Sequence, residues 1–431
     1  MKNQLPNITK STEMYHRAKK LMHPITQTLA KGPGQFTFGV APVYVESAKG
    51  ARITDVDGNE YLDYCMGIGP ISLGYAYKEV DDAIKNQLEK GITFSLMHRL
   101  ELEVAEKLNQ IIPNAESIRI SKQGADVCSA AVRVARAFTK RNKVAVCGYH
   151  GWHDWYIGTT TRNAGIPKEI IDLTVSIKYN DIESVKAAMS PDLACLILEP
   201  IVFEAPKDNF LQELHAICKA NGTLLIFDEM WTGFRLAIGG AQEFFGVTPD
   251  LAVYSKACAN GMPIAFLTGR DDVMKHFEDD VFYFTTFGGE ALSLAATLAT
   301  ISEMEKHNVP QYLAEKGQMI KDGFNALLEE FEMTDLMSIS GYPCRSIVNF
   351  AEKAGDGLVL KTYLQQEMIK RGILWSSFHN MCFSHTDADI QFTLEVYRDI
   401  FPAFKQLILD GNVESAIQGQ VLEPVFRKVK F

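Results

Sequence analysis

The sequence predicts an α/β fold with a mostly parallel central sheet. Short apolar and β-branched runs alternate with longer segments whose apolar residues recur at helical spacing, which is the pattern of strand–helix–strand units. Three polar residues, Glu199, Asp228 and Lys256, each follow an apolar strand, at nearly equal spacing along the chain. A chain of 431 residues, 47% of them hydrophobic and 22% charged, is long enough to form a large domain and a smaller one.

Elements are predicted first at the N-terminal end of the chain. A helix is expected from Glu13 to Met22, with Ser11 as its cap and Pro24 beyond its end. An antiparallel hairpin is expected within residues 42–64, because Asp57-Gly58 separates two alternating runs. Strands of the main sheet are then predicted at residues 117–121, 143–147, 173–177, 193–198, 223–227, 251–254 and 264–268.

Helices are predicted between and after these strands. Their predicted bounds are residues 79–90, 100–112, 124–140, 212–220, 290–307, 316–331 and 389–409. We therefore expect a large central domain over residues 65–307. Both chain ends, residues 1–64 and 308–431, are expected to form the small domain. Residues 157–171 are a candidate lid.

Charge and composition exclude several classes of protein. The formal net charge is −10, from 43 basic and 53 acidic residues, which disfavours a general nucleic-acid binder. No apolar run approaches the length of a membrane helix, and the N-terminus carries no apolar signal-peptide core. The eight cysteines form no CxxC motif, so we expect reduced, buried thiols and a cytoplasmic protein.

The three residues at strand ends predict a ligand site. Taken alone, an acid after a buried strand is usually a helix cap or an ion-pair partner, and a lysine there is usually on the surface. Together, Glu199, Asp228 and Lys256 are expected at the carboxyl edge of one parallel sheet, where open α/β sheets bind their ligands.

Two further clusters follow predicted strands. Gly124-Ala125-Asp126 opens a long helix, whose first amides make a ready phosphate site. It is neither a P-loop nor GxGxxG, which disfavours a nucleotide-dependent dehydrogenase. The Tyr149–Asp154 run contains aromatic residues that either pack on a subunit interface or stack on a planar ligand. His150 and His153 lack the HExxH spacing, so we expect no metal.

A phosphate site, a stacking ring, an acid and a lysine at one sheet edge suit one cofactor in particular. Pyridoxal 5′-phosphate (PLP) needs a lysine for its Schiff base, an acid beside its ring nitrogen and a cradle for its phosphate. The sequence therefore predicts a PLP site.

Residues 224–257, LLIFDEMWTGFRLAIGGAQEFFGVTPDLAVYSKA, resemble the class III, fold-type I aminotransferases. Within that family the resemblance is strongest to the glutamate-1-semialdehyde 2,1-aminomutases. It covers most of the chain and includes GARITDVDGNEYLDY, RVARAFTKRNKV, YHGWHD, ILEP and TFGG. It implies a large PLP-binding domain with a mostly parallel sheet and a smaller α+β domain.

The resemblance also implies roles for particular residues. Lys256 matches the Schiff-base lysine, and Asp228 matches the acid paired with the ring nitrogen. Tyr149 matches the stacked ring. The other implied cofactor-binding residues are Gly124, Ala125 and Asp126 at the phosphate turn, His150 and Glu199 near the cofactor, and Thr286 as a phosphate ligand from the neighbouring subunit of a homodimer. Glu229 also matches a position near the cofactor.

The chain departs from the family pattern at several positions. The phosphate turn reads Gln123-Gly124-Ala125-Asp126 instead of Ser-Gly-Ser/Thr-Glu, so a hydroxyl ligand is lost. Glu290-Ala291 replaces an Asn-Pro pair, and Trp231 replaces Gln or Met. Residues 32–42 lack the arginine that holds the substrate carboxylate in the aminomutase, and residues 378–382 replace a Phe-Glu-Ala-Gly-Phe-like segment.

These departures favour an aminotransferase acting on small molecules. We expect it to transfer an amino group, with glutamate as the first donor to consider, to an aldehyde or ketone of a specialised metabolite. Lys256 would form the Schiff base and carry a 1,3-proton shift. One alternative is an aminomutase that keeps the amino group within one substrate. Another is a catalytically silent binding protein with the same fold.

Overall fold

The computed structural model describes residues 3–424, which divide into two compact units. Unit 1 combines the described residues up to Tyr77 with those from Tyr312 onward, and unit 2 spans Lys78–Gln311. The predicted domain boundaries, at 64/65 and 307/308, lie somewhat earlier along the chain. Both divisions form the smaller part of the molecule from the two chain ends.

The helices and strands are numbered along the chain. The helices are α1 (Thr9–Ala18), α2 (Lys78–Leu88), α3 (Arg99–Ile111), α4 (Gly124–Thr139), α5 (Asp154–Ile157), α6 (Lys168–Ile171), α7 (Ile182–Ala188), α8 (Phe210–Asn221), α9 (Ala241–Phe245), α10 (Asp271–Met274), α11 (His276–Asp279), α12 (Ala291–Lys306), α13 (Val309–Glu330), α14 (Gly357–Lys370) and α15 (Asp387–Leu409). The strands are β1 (Val45–Lys49), β2 (Arg52–Asp55), β3 (Glu60–Asp63), β4 (Ser117–Ser121), β5 (Lys143–Cys147), β6 (Thr174–Ser176), β7 (Leu193–Leu198), β8 (Leu224–Asp228), β9 (Leu251–Tyr254), β10 (Ala265–Gly269), β11 (Met337–Tyr342), β12 (Arg345–Phe350), β13 (Ile373–Leu374) and β14 (Phe378–Asn380).

Unit 2 is built on a seven-stranded sheet in the order β4-β10-β9-β8-β7-β5-β6. All its strand pairs are parallel except the two that β10 makes with β4 and β9. Strands β7 to β10 are buried along their whole length, as expected for near-continuous apolar runs in a parallel sheet covered by helices. The α/β fold with a mostly parallel central sheet is therefore confirmed.

Helix α4 supplies much of the core on this sheet. Its small apolar residues recur at helical spacing, and seven of them are buried. They pack in one cluster with apolar residues of β5, β7, β8, β9 and β10. Ala and Val side chains allow a close approach of helix to sheet, so the position of the first turn of α4 is fixed relative to the strand ends.

Unit 1 contains two small sheets. The first has the order β1-β2-β3-β13, with β13 parallel to β3 and the rest antiparallel. Its β2–β3 turn includes Asp57-Gly58, as predicted from the sequence. The second sheet, β11-β12-β14, is antiparallel. Helices α14 and α15, with α13 from Tyr312 onward, complete the unit.

One prediction for unit 1 is wrong. Helix α1 starts at Thr9, so Ser11 lies inside it, and the helix ends at Ala18 instead of Met22. The Asp57 carboxylate accepts the N–H groups of Lys10 and Ser11 from across the unit. The local acceptor at the helix start is thus Asn7, whose Oδ1 accepts the Thr9 N–H, and the tertiary partner Asp57 satisfies the next two amides.

Several wider features of the chain also bear on function. None of the helices in residues 3–424 is long and apolar enough to span a bilayer. No group of three or more His, Cys, Asp or Glu side chains in that range is arranged to hold a metal ion. All eight cysteines are buried free thiols.

Candidate active site

The candidate site lies at the carboxyl edge of the unit 2 sheet. Since β5, β7, β8 and β9 are parallel neighbours, with β4 in the same direction, their carboxyl ends meet at this edge. The residues placed there are Gly124 after β4, Tyr149 after β5, Glu199 after β7, Asp228 at the end of β8 and Lys256 after β9. Open α/β sheets bind their ligands at this edge.

Asp228 is a fully buried carboxylate with three donors around it. Its Oδ1 accepts the Met230 N–H at 3.0 Å, and its Oδ2 lies 2.7 Å from His150 Nδ1. The Cys128 thiol donates to the same Oδ2 at 3.8 Å. Burying a carboxylate without hydrogen-bond donors is very costly. These donors offset that cost, and they also fix the orientation of the Asp228 side chain. The Nε2 atom of His150 has no hydrogen-bond partner among residues 3–424.

Glu199 is a second acid beside Asp228. Its Oε1 accepts the Tyr149 N–H at 2.8 Å. Burial, together with the charge of Asp228, raises the pKa of Glu199, while the positive charge of Lys256 opposes that rise. Gly148 has a φ of 107°, and an added Cβ would lie 2.7 Å from Glu199 Oε1. The glycine is therefore required for this close approach of backbone to carboxylate.

Lys256 opens a short 3-10 turn, Lys256–Ala259, directly beyond β9. Its φ of 48° is left-handed, which is uncommon for a residue with a side chain and clusters at functional sites. Burial and the charge of Asp228 raise the pKa of the Cys128 thiol, and the charge of Lys256 opposes that rise. The lysine and the two acids thus belong to one electrostatic group.

The start of α4 fits an anionic group such as a phosphate. The N-cap residue Gln123 makes no side-chain cap, and no acceptor for the Gly124 and Ala125 amides occurs within residues 3–424. A Cβ on Gly124 would lie 2.7 Å from Met230 Sδ, and one on Gly151 would lie 2.6 Å from Ala125 Cβ. Two free amides and the positive helix end make this turn complementary to a phosphate.

Asp126, by contrast, is engaged with its neighbours. Its Oδ2 accepts the Ser121 hydroxyl at 3.4 Å, and its Oδ1 lies 3.8 Å from His153 Nε2. The sequence grouped Asp126 with the phosphate turn. The structure places it in the first helical turn, where its negative charge suits the helix dipole but adds no donor for an anion.

Tyr149 and Thr286 are the most exposed of the predicted site residues. Tyr149 is 51% exposed and packs edge-on against Tyr156, with ring centroids 5.5 Å apart. Thr286 is exposed and lies in a loop between α11 and α12. Exposed Phe282, Phe284 and Phe287 flank it.

Glu229 follows Asp228 directly in the chain, but its carboxylate is bound to the start of a helix. Its carboxylate accepts the N–H groups of Ala241 and Gln242 at the start of α9, and the Thr232 hydroxyl. Burial raises its pKa to about 7. Its role near a cofactor was expected from the resemblance alone, whereas its contacts are those of a helix cap.

Two departures from the family pattern have a local explanation. Glu290 caps α12 by accepting the Leu292 and Ser293 N–H groups, and it pairs with Lys122 at 2.7 Å. Trp231 is buried and donates its indole N–H to the Ile201 carbonyl at 2.9 Å. Each replacement residue is therefore anchored in unit 2.

The altered segments of unit 1 are also anchored internally. The Thr37 N–H donates to Gln365 Oε1 at 2.8 Å, which ties residues 32–42 to α14. His379 contacts Ser346 Oγ at 3.1 Å and Tyr397 Oη at 2.8 Å. Asn380 Nδ2 donates to the Tyr64 carbonyl at 3.1 Å. His379 and Asn380 are thus committed to the packing of unit 1.

The sequence did not single out Cys128 as a site residue. It lies four residues after Gly124, so it faces the same side of α4 as the start of the phosphate turn. This four-residue spacing is the feature of the sequence that could have predicted Cys128 near the site. Its partner Asp228 is one hundred positions away in the chain, and only the packing of α4 on the sheet brings them together.

Fold and site together define a PLP-dependent enzyme of the transaminase type: an α/β unit with a lysine, a buried acid and a phosphate turn at one sheet edge. Comparison with known proteins agrees. The chain belongs to the class III aminotransferase family, whose profile matches residues 37–382. It is an enzyme of that family, and PLP is its cofactor.

Its relatives include both aminotransferases and aminomutases. It is 34% identical to a 3-aminobutyryl-CoA aminotransferase of Cloacimonas acidaminovorans, covering 93% of this chain and 99% of that one. It is 33% identical to a glutamate-1-semialdehyde 2,1-aminomutase of Methanococcoides burtonii, covering 90% and 98%. The structure of the PLP form of the Sphingopyxis sp. MTA144 FumI protein matches with a TM-score of 0.86, at 25% identity, over 96% and 99% of the two chains.

Proposed function

We propose that the protein is an aminotransferase that moves an amino group from a donor such as L-glutamate to an aldehyde or ketone of a specialised metabolite. The observation that carries this proposal is the convergence, at one sheet edge, of Lys256, the buried Asp228 carboxylate and two amides without an acceptor. Each feature serves one part of the cofactor, and they lie on neighbouring elements of one unit.

The proposed cofactor contacts follow from this arrangement. The Gly124 and Ala125 amides hold the phosphate, and Tyr149 stacks on the ring. Asp228 holds the protonated ring nitrogen, since a carboxylate stabilises that charge. The remaining proposed cofactor-binding residues are His150, Glu199, Lys256 and Thr286. Asp126 is proposed to support the phosphate turn indirectly, through Ser121 and His153.

Lys256 and Asp228 are proposed to perform the chemistry. PLP, when bound, withdraws electrons from the amine substrate and so acidifies its α-carbon. Lys256 would hold the cofactor through its Nζ until a substrate amine takes its place. Its Nζ would then act as the base for the α-carbon proton of the substrate and as the acid that returns it, which is the 1,3-proton shift proposed for this lysine. Asp228, fixed by its three donors, would hold the ring nitrogen and so maintain the electron demand.

The homodimer is part of the proposal, because Thr286 is expected to reach the partner's site. An exposed apolar face of unit 2 supports it: Leu96 is 85% and Met97 90% exposed. The Ala291 N–H donates to the Ile92 carbonyl at 2.9 Å, which ties this segment to the start of α12, four residues after Phe287. Such a face is typical of a covered interface. Its residues are Ile92, Phe94, Leu96, Met97, Phe282, Phe284 and Phe287.

Mixed dimers test the shared site. Refolding Lys256→Ala chains together with Thr286→Ala chains should restore activity, because one site of each mixed dimer then has both native residues. Leu96→Glu with Met97→Glu should yield monomers by light scattering, whereas Leu21→Glu, at a residue 82% exposed in unit 1, should not. A light-scattering mass of one chain for the native protein would disprove the dimer.

An aminomutase is the second candidate, because relatives with that name match about as well as the aminotransferase. Against it, residues 32–42 contain no arginine, so a partner for a substrate carboxylate is missing there. Conversion of glutamate 1-semialdehyde to 5-aminolevulinate without net use of a donor would establish the aminomutase.

The decisive experiment is a visible absorption spectrum of the PLP-loaded protein before and after L-glutamate. A yellow band that bleaches would support the cofactor site and glutamate as donor. A panel of carbonyl acceptors then follows, with acetoacetyl-CoA included because one relative is a 3-aminobutyryl-CoA aminotransferase. A protein that stays colourless after addition of PLP would disprove the proposal.

We also propose that the enzyme resides in the cytoplasm. Its eight cysteines are all buried as free thiols, which suits a reducing compartment. Labelling of the intact cell with a membrane-impermeant reagent should therefore leave the protein unmodified.

A further inference from the structure

The Asp228 carboxylate is held from three parts of unit 2. The Met230 N–H belongs to the turn after β8, and His150 belongs to the loop after β5. The third donor, the Cys128 thiol, comes from α4 and reaches Oδ2 at 3.8 Å. Cys128 is 1% and Asp228 0% exposed, so water does not compete with this contact.

The Cys128 side chain is a donor and not an anion. Burial, together with the charge of Asp228, raises the pKa of this thiol well above its usual value. A thiol that keeps its proton donates a weak hydrogen bond, and it is a poor nucleophile. Its contribution is therefore to the position and charge of its acceptor.

Cys128 also couples two parts of the proposed cofactor site. Helix α4 begins at Gly124 with the two amides that have no acceptor in the described chain. One helical turn later, Cys128 contacts Asp228 at the end of β8. The same rigid helix thus touches the phosphate end and the ring-nitrogen end of the site.

We propose that Cys128 is a positioning residue, whose thiol donates to Asp228 Oδ2 and sets that carboxylate relative to the phosphate turn of α4. This proposal rests on the proposed function only for its effect on catalysis. The contact itself is a property of the folded chain. Loss of the thiol leaves Oδ2 with His150 and Oδ1 with the Met230 N–H, so the carboxylate is held less tightly relative to α4.

The S–H stretching band is a direct test of the contact, since it falls in a clear region of the infrared spectrum and shifts on hydrogen bonding. The Cys128 S–H band is assigned from the difference spectrum between native and Cys128→Ala protein, both PLP-loaded. It should lie at lower wavenumber than the S–H band of Cys195. Cys195 is a buried thiol of β7 with no carboxylate contact within residues 3–424. In Asp228→Ala protein the Cys128 band should return to the position of the Cys195 band.

Catalysis and cofactor titration supply the second test. Cys128→Ala should lower kcat about three- to tenfold, as expected for a weak hydrogen bond, with KM little changed, and should shift the pH titration of the cofactor absorption band. Cys195→Ala, which leaves a similar cavity, should do neither. Equal effects of the two variants on both readouts would overturn the positioning role.

The two proposals fail separately. A protein whose absorption ignores every amino donor, but whose Cys128 band shifts with Asp228, would disprove the aminotransferase and keep the positioning contact. A protein that bleaches with glutamate, but whose Cys128 band matches that of a free thiol, would disprove the contact and keep the function.

Discussion

Buried histidines occur in both units, and their surroundings differ. In unit 1, His379 contacts Ser346 and Tyr397, while His385 accepts the Cys382 N–H and contacts the Asp63 carbonyl. Both ring nitrogens of each residue are therefore satisfied. We call these two residues the histidine pair.

In unit 2, His150 is equally buried, but only its Nδ1 has a partner, and Nε2 has none among residues 3–424. The free amides of Gly124 and Ala125 lie at the same sheet edge. Burial of a titratable group is therefore no mark of function in this protein. What marks the candidate site is a group of polar atoms left without partners, which a ligand would satisfy.

The largest effect is expected at the lysine of the sheet edge. Lys256→Ala should lower turnover by at least about a thousandfold, because it removes the proposed proton carrier, while the unfolding temperature stays near that of the native protein. Steady-state kinetics and thermal unfolding check this. Lys168→Ala, at an exposed ion pair, is the control. Retained multiple turnover in Lys256→Ala would exclude the lysine as the catalytic residue.

The neighbouring acids Asp228 and Glu229 allow the sharpest separation of catalysis from structure. Asp228→Asn should reduce kcat about a hundred- to a thousandfold, through loss of the charge proposed to stabilise the ring nitrogen, with little change in stability. Glu229→Gln should cost about 1–3 kcal/mol of unfolding free energy, because it weakens a buried helix cap, with kcat nearly unchanged. Urea titration and steady-state kinetics on both variants measure the two effects. A loss of stability in Asp228→Asn and a loss of kcat in Glu229→Gln would show that Glu229 is the catalytic acid and Asp228 the structural one.

The histidine pair should make the protein sensitive to acid. Burial lowers the pKa of His379 to about 3, with the charge of His385 adding to that effect, and burial lowers the pKa of His385 to about 4. Since an unfolded histidine titrates near pH 6.5, the stability they contribute is complete above that pH. It is lost as the pH falls toward 4 and then 3.

His379→Gln should therefore flatten the pH dependence of stability between about pH 6.5 and pH 3. The unfolding free energy that the native protein loses over this range should be smaller in the variant, by on the order of a few kcal/mol. Denaturant unfolding at a series of pH values checks this against His16→Gln, an exposed histidine. Identical slopes for native and His379→Gln proteins would mean that the buried ring is not kept neutral.

The smallest effect is expected at Glu290, which caps α12 and pairs with Lys122. Glu290→Ala should cost about 1–2 kcal/mol of unfolding free energy. Glu183→Ala, in an exposed pair with Lys186, should cost less than about 1 kcal/mol. A difference in the urea midpoints tests this, and equal midpoints would show that the Glu290 cap contributes nothing beyond a surface pair.

Sequence reasoning was most reliable where one physical signal was strong. The apolar runs of β7, β8 and β9 fixed the strand ends and hence the common edge of Glu199, Asp228 and Lys256. It failed at Ser11, because the partner of that helix start, Asp57, is supplied from a distant turn. It placed Asp228 at the strand end, but it could not show that the adjacent Glu229 accepts the Ala241 and Gln242 N–H groups.

The sequence by itself determined the α/β architecture and PLP as the cofactor, and it predicted the carboxyl edge as the ligand site. These depend on local periodicity, and on residue types whose chemistry is specific. Only the tertiary structure decided that Glu229 caps a helix, that His379 is a core residue, and that the Cys128 thiol contacts Asp228. The physical reason is that hydrogen-bond partners and desolvation depend on side chains far apart in sequence, which packing alone brings into contact.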